Sequence, residues 1–305
     1  MTRGEQFEAC APMLFAIAYR MLGSVSDAED AVQEAWLRFD ASPAVPTSAK
    51  AFLAATVTHI AMDVLRSARV RREVYVGPWF PDPLLTDPYE DPERAAELAD
   101  SLSMAALVLL ERLSPLQRAV FVLREVFGFS FGEIAAFVGR SEAACRQLAA
   151  RARRHLGAGL PRFPADAHKQ AELARQFFAA FRAGDVDGLR AFLAADARLV
   201  GDSGAHAPRW RPIAGADRVA RVMAWLQAAC GRLGVVMEEH PLNGQPSAVF
   251  WDQSGRVLTT WSLDVVDTRV QMIRAVLNPE KLAHLGPVGH LGDMLREAHS
   301  ALGHF

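Results

Sequence analysis

Residues 130–156 most restrict how this chain can fold, because they hold two short helical patterns joined by a glycine-bearing turn. Ser130 and Glu133 have the spacing of a capping box that begins the first helix, and Gly139 suits the left-handed position that ends it. Ser141 is placed to cap the second helix. Two helices fixed at a tight corner predict a helix-turn-helix, a motif that reads DNA.

The second helix of this motif has one apolar face and one basic polar face. The apolar positions recur at helical spacing and are expected to face the core: Cys145, Leu148, Ala149, Ala152 and Leu156. The polar positions form the other face: Glu142, Arg146, Gln147, Arg151, Arg153 and Arg154. An arginine-rich polar face suits the major groove of DNA.

Length and composition set limits on the rest of the chain. Its 305 residues, 51% of them hydrophobic, allow two or three compact domains. The three cysteines are scattered, which predicts reduced thiols and neither a disulfide framework nor a zinc site, and no metal or cofactor is expected. The net charge of −2 implies weak binding to duplex DNA unless a partner protein completes it.

The chain shows no sign of a membrane location. Its amino terminus is acidic where a signal peptide would be basic, and its longest apolar tract, Met104 to Leu110, is far shorter than the ~20 residues of a membrane span. We therefore expect a cytoplasmic protein.

The first 73 residues form a helical block. Ser26 and Glu29 predict a capping box, after which an apolar helical stripe runs to Phe39. The other face of this helix suits a basic partner surface or plain solvent, because it carries Asp27, Asp30, Gln33 and Glu34. A turn-rich stretch, residues 40–48, leads to a second helix from Ala49 to about Arg66. Its basic end beside a polar loop suits nucleic-acid backbone and unstacked bases.

Residues 74–96 form a proline-rich linker that favours extended backbone. Trp79 and Phe80 are more apolar than a solvent-exposed linker requires, so they predict that the linker docks on another domain. The alternative is an ordinary surface connection that buries one aromatic side chain. A helix is expected from Glu93 to Leu113. The next helix, which Ser114 and Gln117 would cap, is expected to run to about Phe127.

Residues 167–284 change from helical patterns to strand patterns. Helices are expected at 167–183 and 216–229, and a further helix follows the turn at 183–188 and ends near 193. Strands are expected at 197–200, 235–240, 248–252, 257–265 and 269–276. Helices followed by a curved antiparallel sheet predict an α+β cone. In the strand from Val257, alternation places one set of side chains toward the core: Val257, Thr259, Trp261, Leu263 and Val265. The other face, which suits a pocket, carries Thr260, Ser262 and Asp264. Residues 285–305 are expected to be a loosely attached tail.

Two motifs in the right order resemble conserved regions of bacterial sigma factors of the extracytoplasmic-function (ECF) group. Asp-Ala-Glu-Asp-Ala-Val-Gln-Glu at 27–34 with Trp-Leu-Arg-Phe at 36–39 resembles their region two, and residues 113–156 resemble region four. Tyr-Val-Gly-Pro-Trp-Phe-Pro-Asp-Pro at 75–83 and Asn-Pro-Glu-Lys-Leu at 278–282 are similar to signatures of the subgroup with a fused SnoaL-like domain. The third signature, Asp-Gly-Gly-Gly-Lys, is altered here to Asp-Ser-Gly-Ala-His at 202–206.

The resemblance implies a multidomain fold: an all-α region 2 domain at 1–73, an all-α region 4 domain with the helix-turn-helix at 97–160, and an α+β SnoaL-like cone at 167–284. It implies core RNA polymerase, through its clamp and flap, and promoter DNA as partners. Polymerase contact is implied for Asp27, Asp30, Gln33 and Glu34. Contact with minus-ten DNA is implied for Thr47, Lys50, Thr58, His59, Asp63 and Arg66. Contact with minus-thirty-five DNA is implied for Ser141, Glu142, Arg146, Gln147, Arg151, Arg153 and Arg154. An interdomain regulatory contact is implied for Trp79, Asp202, His206, Asn278 and Lys281.

Three functions are consistent with these features. The leading one is a promoter-specificity subunit of RNA polymerase whose C-terminal domain regulates it in place of a separate anti-sigma factor, in a direction that the sequence leaves open. It assigns no catalytic residue and allows an unidentified small ligand in the C-terminal domain. The second is a DNA-binding module fused to an enzyme in which Asp202 and His206 form an acid/base pair. The third is a ligand-responsive repressor, which would have no use for the acidic face of residues 27–34.

Overall fold

The structure, a computed structural model, describes residues 2–43, 46–72, 75, 77–94, 98, 101–156, 167–204 and 211–294, with backbone alone at 68–72, 94 and 167–168. The chain divides into two units. The N-terminal unit combines Met1–Val74 with Thr86–Pro161, and the C-terminal unit combines Tyr75–Leu85 with Arg162–Phe305. Half of the proline-rich linker is therefore part of the C-terminal unit, whereas the sequence-based division treats the linker as separate from both domains.

The described residues of the N-terminal unit form helices. These are α1 Arg3–Leu22, α2 Val25–Asp40, α3 Ala49–Arg72, α4 Met104–Leu110, α5 Pro115–Phe121, α6 Phe131–Val138 and α7 Glu142–Leu156, with a 3-10 turn at Pro92–Arg94 and a π-helical turn at Val122–Val126. Helices α1, α2 and α3 pack against one another, and α3 also packs against α5 and α6. The first three helices and the helix-turn-helix therefore share one compact body. Among the described helices of the chain, none is both long enough and apolar enough to cross a membrane.

The capping signals of the helix-turn-helix and of the helix before it are confirmed. Ser114 with Gln117 and Ser130 with Glu133 both form complete capping boxes. Gly139 ends α6 with a φ of 61°. The Ser141 hydroxyl accepts a hydrogen bond from the Ala144 amide at 3.2 Å. Local side-chain chemistry thus fixes both ends of α6 and the start of α7.

The capping box predicted for Ser26 and Glu29 is wrong. Helix α2 begins at Val25, and the cap is Ser24, which accepts from the Asp27 amide at 3.3 Å. Gly23 ends α1 with a φ of 69°, so the turn between the helices is a tight one. Val25 is buried, which favours the earlier start of α2.

The continuous helix predicted from Glu93 to Leu113 is also wrong in extent. Ser103 interrupts it and begins α4 by accepting a hydrogen bond from the Ala106 amide at 3.2 Å. A serine side chain can compete with the backbone for hydrogen bonds, which makes a cap more favourable than an interior position.

The C-terminal unit is an α+β fold. Its helices are α8 Ala167–Ala183, α9 Val186–Phe192, α10 Ala216–Leu233 and α11 Pro279–Leu282, and its strands are β1 Leu193–Asp202, β2 Ile213–Ala214, β3 Val236–Glu239, β4 Ser247–Trp251, β5 Val257–Val266 and β6 Arg269–Val276. The strand order is β2-β1-β6-β5-β4-β3. The expectation of an antiparallel sheet holds for four of the five strand pairings and is wrong for one, since β1 and β6 run parallel. These strands are far apart in sequence, so no hairpin fixes their relative direction.

The two faces of this sheet differ in chemistry. The face toward α8, α9 and α10 is packed with apolar side chains that include Phe178, Phe250 and Trp261. The opposite face carries Thr260 and Ser262, which confirms the alternation predicted along β5, and both are buried. Pro81 to Leu84 of the linker are also buried. The polar face of the sheet is thus covered within the C-terminal unit.

Candidate functional site

Asp202, at the carboxyl end of β1, is the centre of a cluster that fixes the linker to the sheet. Its side chain is fully buried. One carboxylate oxygen accepts from the Tyr75 hydroxyl at 2.5 Å, and the other accepts from the Phe80 amide at 2.8 Å and the Lys281 ammonium at 2.7 Å. We call this cluster the linker latch and define it as Tyr75, Trp79, Phe80, Asp202, Asn278 and Lys281.

Lys281 connects the charged and aromatic parts of the latch. Its ammonium group donates to the Phe80 carbonyl as well as to Asp202. The nitrogen lies 4.3 Å from the centre of the Trp79 ring and 5.0 Å from that of Tyr75. Aromatic faces attract a cation more strongly where water is excluded, and Lys281 is buried. The linker therefore supplies both rings and one carbonyl to a lysine of the C-terminal domain.

The start of α11 positions Lys281 and also holds Tyr75. Asn278 caps the helix by accepting from the Glu280 amide at 3.2 Å, and its side-chain amide donates to the Tyr75 oxygen at 3.1 Å. Burial, and next the hydrogen bond to Asp202, raise the pKa of the Tyr75 hydroxyl. Tyr75 consequently remains a protonated donor at neutral pH.

A second set of contacts fixes the linker near its middle, at Pro83 and Leu84. The Leu84 amide donates to the Asn243 side chain at 2.9 Å, and the Asn243 amide donates to the Leu84 carbonyl at 2.7 Å. The His284 ring lies 2.6 Å from the Pro83 carbonyl oxygen. The first half of the linker is therefore attached to the C-terminal domain at Tyr75 and again at Leu84.

The altered glycine signature at residues 202–206 keeps a glycine where the geometry requires one. Gly204 has a φ of 59°, and a Cβ atom there would lie 2.8 Å from the Asn278 side chain. Ser203, which stands where the signature has glycine, is accommodated in a buried position. His206 lies outside the described residues.

The acid/base hypothesis for Asp202 and His206 gains no support from this geometry. The Asp202 carboxylate accepts from Tyr75, Phe80 and Lys281, and also from the Gly204 amide at 3.2 Å. Four donors fill the usual capacity of a carboxylate. Among the described residues, moreover, no group of three or more histidine, cysteine or acidic side chains is arranged to hold a metal ion.

The acidic face of α2 lies at the surface of the N-terminal unit. Asp30 and Gln33 are exposed, and Asp27 and Glu34 are half-buried. Leu37 extends this face and is 59% exposed, which is unusual for a leucine in a helix packed on two others. Sequence reasoning missed Leu37, although its position one turn after Gln33 and Glu34 places it on the same face.

The candidate minus-ten residues on and before α3 are mostly at the surface. Thr47, Lys50, His59, Asp63 and Arg66 are exposed, and Asp63 pairs with Arg66 at 2.6 Å.

Thr58 differs from the other minus-ten candidates, because it is fully buried and its hydroxyl donates to the Ala54 carbonyl at 2.7 Å. The described structure therefore offers no Thr58 surface to a ligand.

The candidate minus-thirty-five residues form a continuous exposed face on α7. All seven are exposed: Ser141, Glu142, Arg146, Gln147, Arg151, Arg153 and Arg154. Two of the arginines have acidic neighbours, with Arg146 at 3.0 Å from Glu142 and Arg153 at 2.6 Å from Glu125. Such exposed pairs contribute little to the stability of the fold.

Two buried arginines, which the sequence did not point to, tie the first helix to the later part of the N-terminal unit. Arg20 of α1 donates to Asp87 at 2.7 Å and to the Leu98 carbonyl at 3.0 Å. Arg118 of α5 donates to the Met21 carbonyl at 2.6 Å and to Glu111 at 2.7 Å. Burial lowers the pKa of the Arg118 guanidinium. Its two close acceptors favour the charged form.

Three family models match the chain in succession. The model for sigma-70 region 2 matches residues 6–71, that for sigma-70 region 4 matches residues 103–156, and that for the SnoaL-like domain matches residues 174–276. Together they cover both helical regions of the N-terminal unit and most of the C-terminal unit.

Curated relatives and a solved structure agree with these models. The ECF RNA polymerase sigma factor SigJ of Mycobacterium tuberculosis is 42% identical over 226 residues, which cover 72% of each chain. The probable ECF RNA polymerase sigma factor SigI of the same species is 30% identical over 88% of this chain and 91% of its own. The crystal structure of the M. tuberculosis extracytoplasmic function sigma factor SigJ superposes with a TM-score of 0.71 at 33% identity, covering 92% of this chain and 98% of that one.

Proposed function

We propose, because the chain belongs to the ECF sigma factors of RNA polymerase, that its C-terminal domain controls promoter recognition by holding the linker between regions 2 and 4. As a sigma factor, the chain acts in transcription initiation with core polymerase at promoter DNA.

The polymerase contact is assigned to the acidic face of α2. Asp27, Asp30 and Glu34 supply negative charge along one face, and the exposed Leu37 supplies an apolar contact at its end. Complementary charge speeds association, and a desolvated apolar side chain adds affinity. This combination suits a basic partner surface with an apolar pocket, and we assign it to the large-subunit clamp.

The promoter contacts are assigned to two surfaces of the N-terminal unit. Thr47, Lys50, His59, Asp63 and Arg66 would contact the minus-ten element as single strand, where bases can leave the stack. The exposed face of α7 would read the minus-thirty-five element as duplex, with Arg146 and Gln147 toward bases and the later arginines toward phosphates. Because Thr58 is buried, we leave it out of this assignment.

The proposed regulation is based on the linker latch. The linker joins residues 1–74 to residues 86–161, and the latch holds it on the C-terminal domain. The stretch from Tyr75 to Leu84 cannot extend while it is attached at both of its ends, so it limits how far the two promoter-reading surfaces can separate.

The distance between the two promoter elements explains why a limit on this separation would affect activity. Elements centred near positions 35 and 10 lie about 25 base pairs apart, or about 85 Å at ~3.4 Å per pair. A compact body of about 150 residues, the size of the N-terminal unit, is only about 40 Å across. Regions 2 and 4, packed through α3, α5 and α6, must therefore separate before both elements are bound. We infer that the latched linker restrains the factor, so that only the fraction of molecules with a released linker is active and release raises the activity.

The polymerase assignment is tested by measuring affinity for purified core polymerase with the full chain. We expect Asp30→Lys to weaken binding by tenfold or more, since it places a positive charge in the middle of the acidic face. Glu8→Lys makes the same charge change at an exposed position of α1 and is expected to bind like the unmodified chain. Equal affinity of the two variants would remove the α2 face from the proposal.

A further inference from the structure

The first residue of α6, Phe131, lies between two arginines. The carbon at the centre of the Arg124 guanidinium is 4.9 Å from the centre of the Phe131 ring, and that of Arg146 is 5.3 Å from it. Arg124 belongs to the π-helical turn before the helix-turn-helix, and Arg146 belongs to the exposed face of α7. One aromatic ring therefore joins side chains from three successive elements.

Further hydrogen bonds fix both arginines on this ring. Arg124 donates to the Phe129 carbonyl at 3.0 Å, and Arg146 donates to Glu142 at 3.0 Å. A guanidinium that is stacked on a ring and held by a hydrogen bond has lost much of its rotational freedom before it meets a ligand. Less entropy is then lost on binding, and the direction of its remaining N–H groups is set.

The charge of the cluster indicates what it binds. Two guanidinium groups near one ring repel each other, and Glu142 neutralises only one of them. The nearby end of α7 adds no compensating acid beyond Glu142, since the residues on that face are Ser141, Gln147 and further arginines. A phosphate oxygen is an acceptor that the planar guanidinium of arginine fits well.

We propose that Phe131 is a positioning residue that holds Arg146 for base reading, and that Arg124 contacts a phosphate beside the base that Arg146 reads. The DNA-reading surface then begins at the π-helical turn, before the helix-turn-helix. This inference rests on the proposed role of α7 at the minus-thirty-five element.

The experiment uses holoenzyme formed from the full chain and core polymerase. Its preference is measured by sequencing transcripts from a promoter library with a randomised minus-thirty-five element. Arg146→Gln is expected to lose preference at one base position by about 5-fold to 100-fold, the range for one bidentate contact. Phe131→Leu is expected to lose preference at the same position, and Phe131→Tyr, which keeps a ring, is expected to retain it.

Arg124→Gln is expected to behave differently from these variants. It should weaken promoter binding about equally for all library members and reduce the slope of log affinity against log salt by about 1, as for one lost phosphate contact. Preference for the base should be unchanged. A salt slope equal to that of the unmodified factor would overturn the phosphate contact.

The outcomes separate this inference from the proposal on which it rests. If Arg146→Gln keeps full base preference, the base-reading role of α7 at this position fails, and the role of Phe131 fails with it. If Arg146→Gln loses preference and Phe131→Leu keeps it, only the positioning role is overturned. Phe131→Tyr keeps a ring and serves as the control for a folding defect. If both Phe131 variants lose preference while the amides of α6 keep their normal protection, the positioning role of the ring is also overturned.

Discussion

At the scale of single residues, the latch depends on a charge pair that water does not reach. Asp202 and Lys281 are both buried and lie 2.7 Å apart. Removing one partner of such a pair leaves the other charge buried without compensation, at a cost of about 3 to 5 kcal/mol. Neither partner is therefore replaceable alone.

The substitution Asp202→Asn tests this directly. We expect it to release the linker, because the buried Lys281 loses its carboxylate partner. The Phe80 and Leu84 amides, which donate to Asp202 and Asn243, should exchange with deuterium at least tenfold faster in the full chain. Hydrogen exchange measured by mass spectrometry reports this region separately from the rest.

Two further variants serve as controls for that measurement. Asp252→Asn alters another buried aspartate of the same unit, which pairs with Arg256 in a hairpin turn and leaves the latch intact. Its linker should exchange at the unmodified rate. The double variant Asp202→Asn with Lys281→Met removes both charges and should recover part of the protection. Unchanged exchange in Asp202→Asn would contradict the charge-pair account.

Gly204 gives a second test at the residue scale. Gly204→Ala combines an unfavourable left-handed conformation, which costs about 1 to 2 kcal/mol, with a collision against Asn278. Gly255 has a similar conformation, with a φ of 73°, but open space where a Cβ would lie. We therefore expect faster exchange at Phe80 in Gly204→Ala and no change there in Gly255→Ala. Equal behaviour would mean that the Asn278 contact is unimportant for the latch.

At the scale of helices, the capping box of α6 should set the stability of the helix-turn-helix. Ser130→Ala removes the side chain that accepts from the Glu133 amide, and such a loss costs about 1 kcal/mol. Amide exchange in α6 is expected to rise about fivefold at pH 7, while α1 is unaffected. Ser114→Ala, the matched change in the box of α5, should act on α5 instead.

The effect of Ser130→Ala should depend on pH in a defined direction. Side-chain and backbone hydrogen bonds with Ser130 hold the pKa of Glu133 below its ordinary value. A lowered carboxyl pKa contributes stability above the ordinary value of about 4.3, and this is lost as the pH falls through the lowered value. The difference between the variant and the unmodified chain should shrink below pH 4. A constant difference would show that Glu133 ionisation plays no part.

The helices and strands that sequence reasoning predicted well depend on local signals. The caps at Ser114 and Ser130, the apolar face of α7 and the alternation of β5 each involve residues within a few positions of one another. Two errors were local, since Ser24 caps α2 in place of Ser26 and Ser103 begins α4 inside the predicted helix. The other errors arose where distant contacts decide. The parallel pairing of β1 with β6 depends on strands far apart in sequence, and so do the buried positions of Arg20 and Arg118.

The candidate site residues show the same difference between local signals, which could be predicted, and distant contacts, which could not. Trp79, Asp202, Asn278 and Lys281 could be singled out from the signatures of the resembled subgroup, and the structure brings them together. The pairings could not be predicted, since nothing local in the sequence connects Asn243 with Leu84 or Tyr75 with Asp202. Hydrogen bonds between residues this far apart follow from the folded chain alone.

At the scale of the whole molecule, one chain contains the promoter-reading surfaces and the domain proposed to restrain them. The latch gains its effect through chain connectivity, because the linker that it holds is the covalent path between regions 2 and 4. A shift of a few kcal/mol in linker docking would change the population of released molecules by a factor of a hundred or more. A weakened latch should therefore suffice to change activity.

The most direct test of this account is run-off transcription with purified core polymerase at a promoter that the factor recognises. The full chain is compared with Asp202→Asn and Asp252→Asn at equal concentrations of folded protein. We expect Asp202→Asn to produce at least threefold more specific transcript and Asp252→Asn to match the unmodified chain. If Asp202→Asn releases the linker in hydrogen exchange yet yields the same or less transcript, the latch does not restrain the factor and the central claim is wrong.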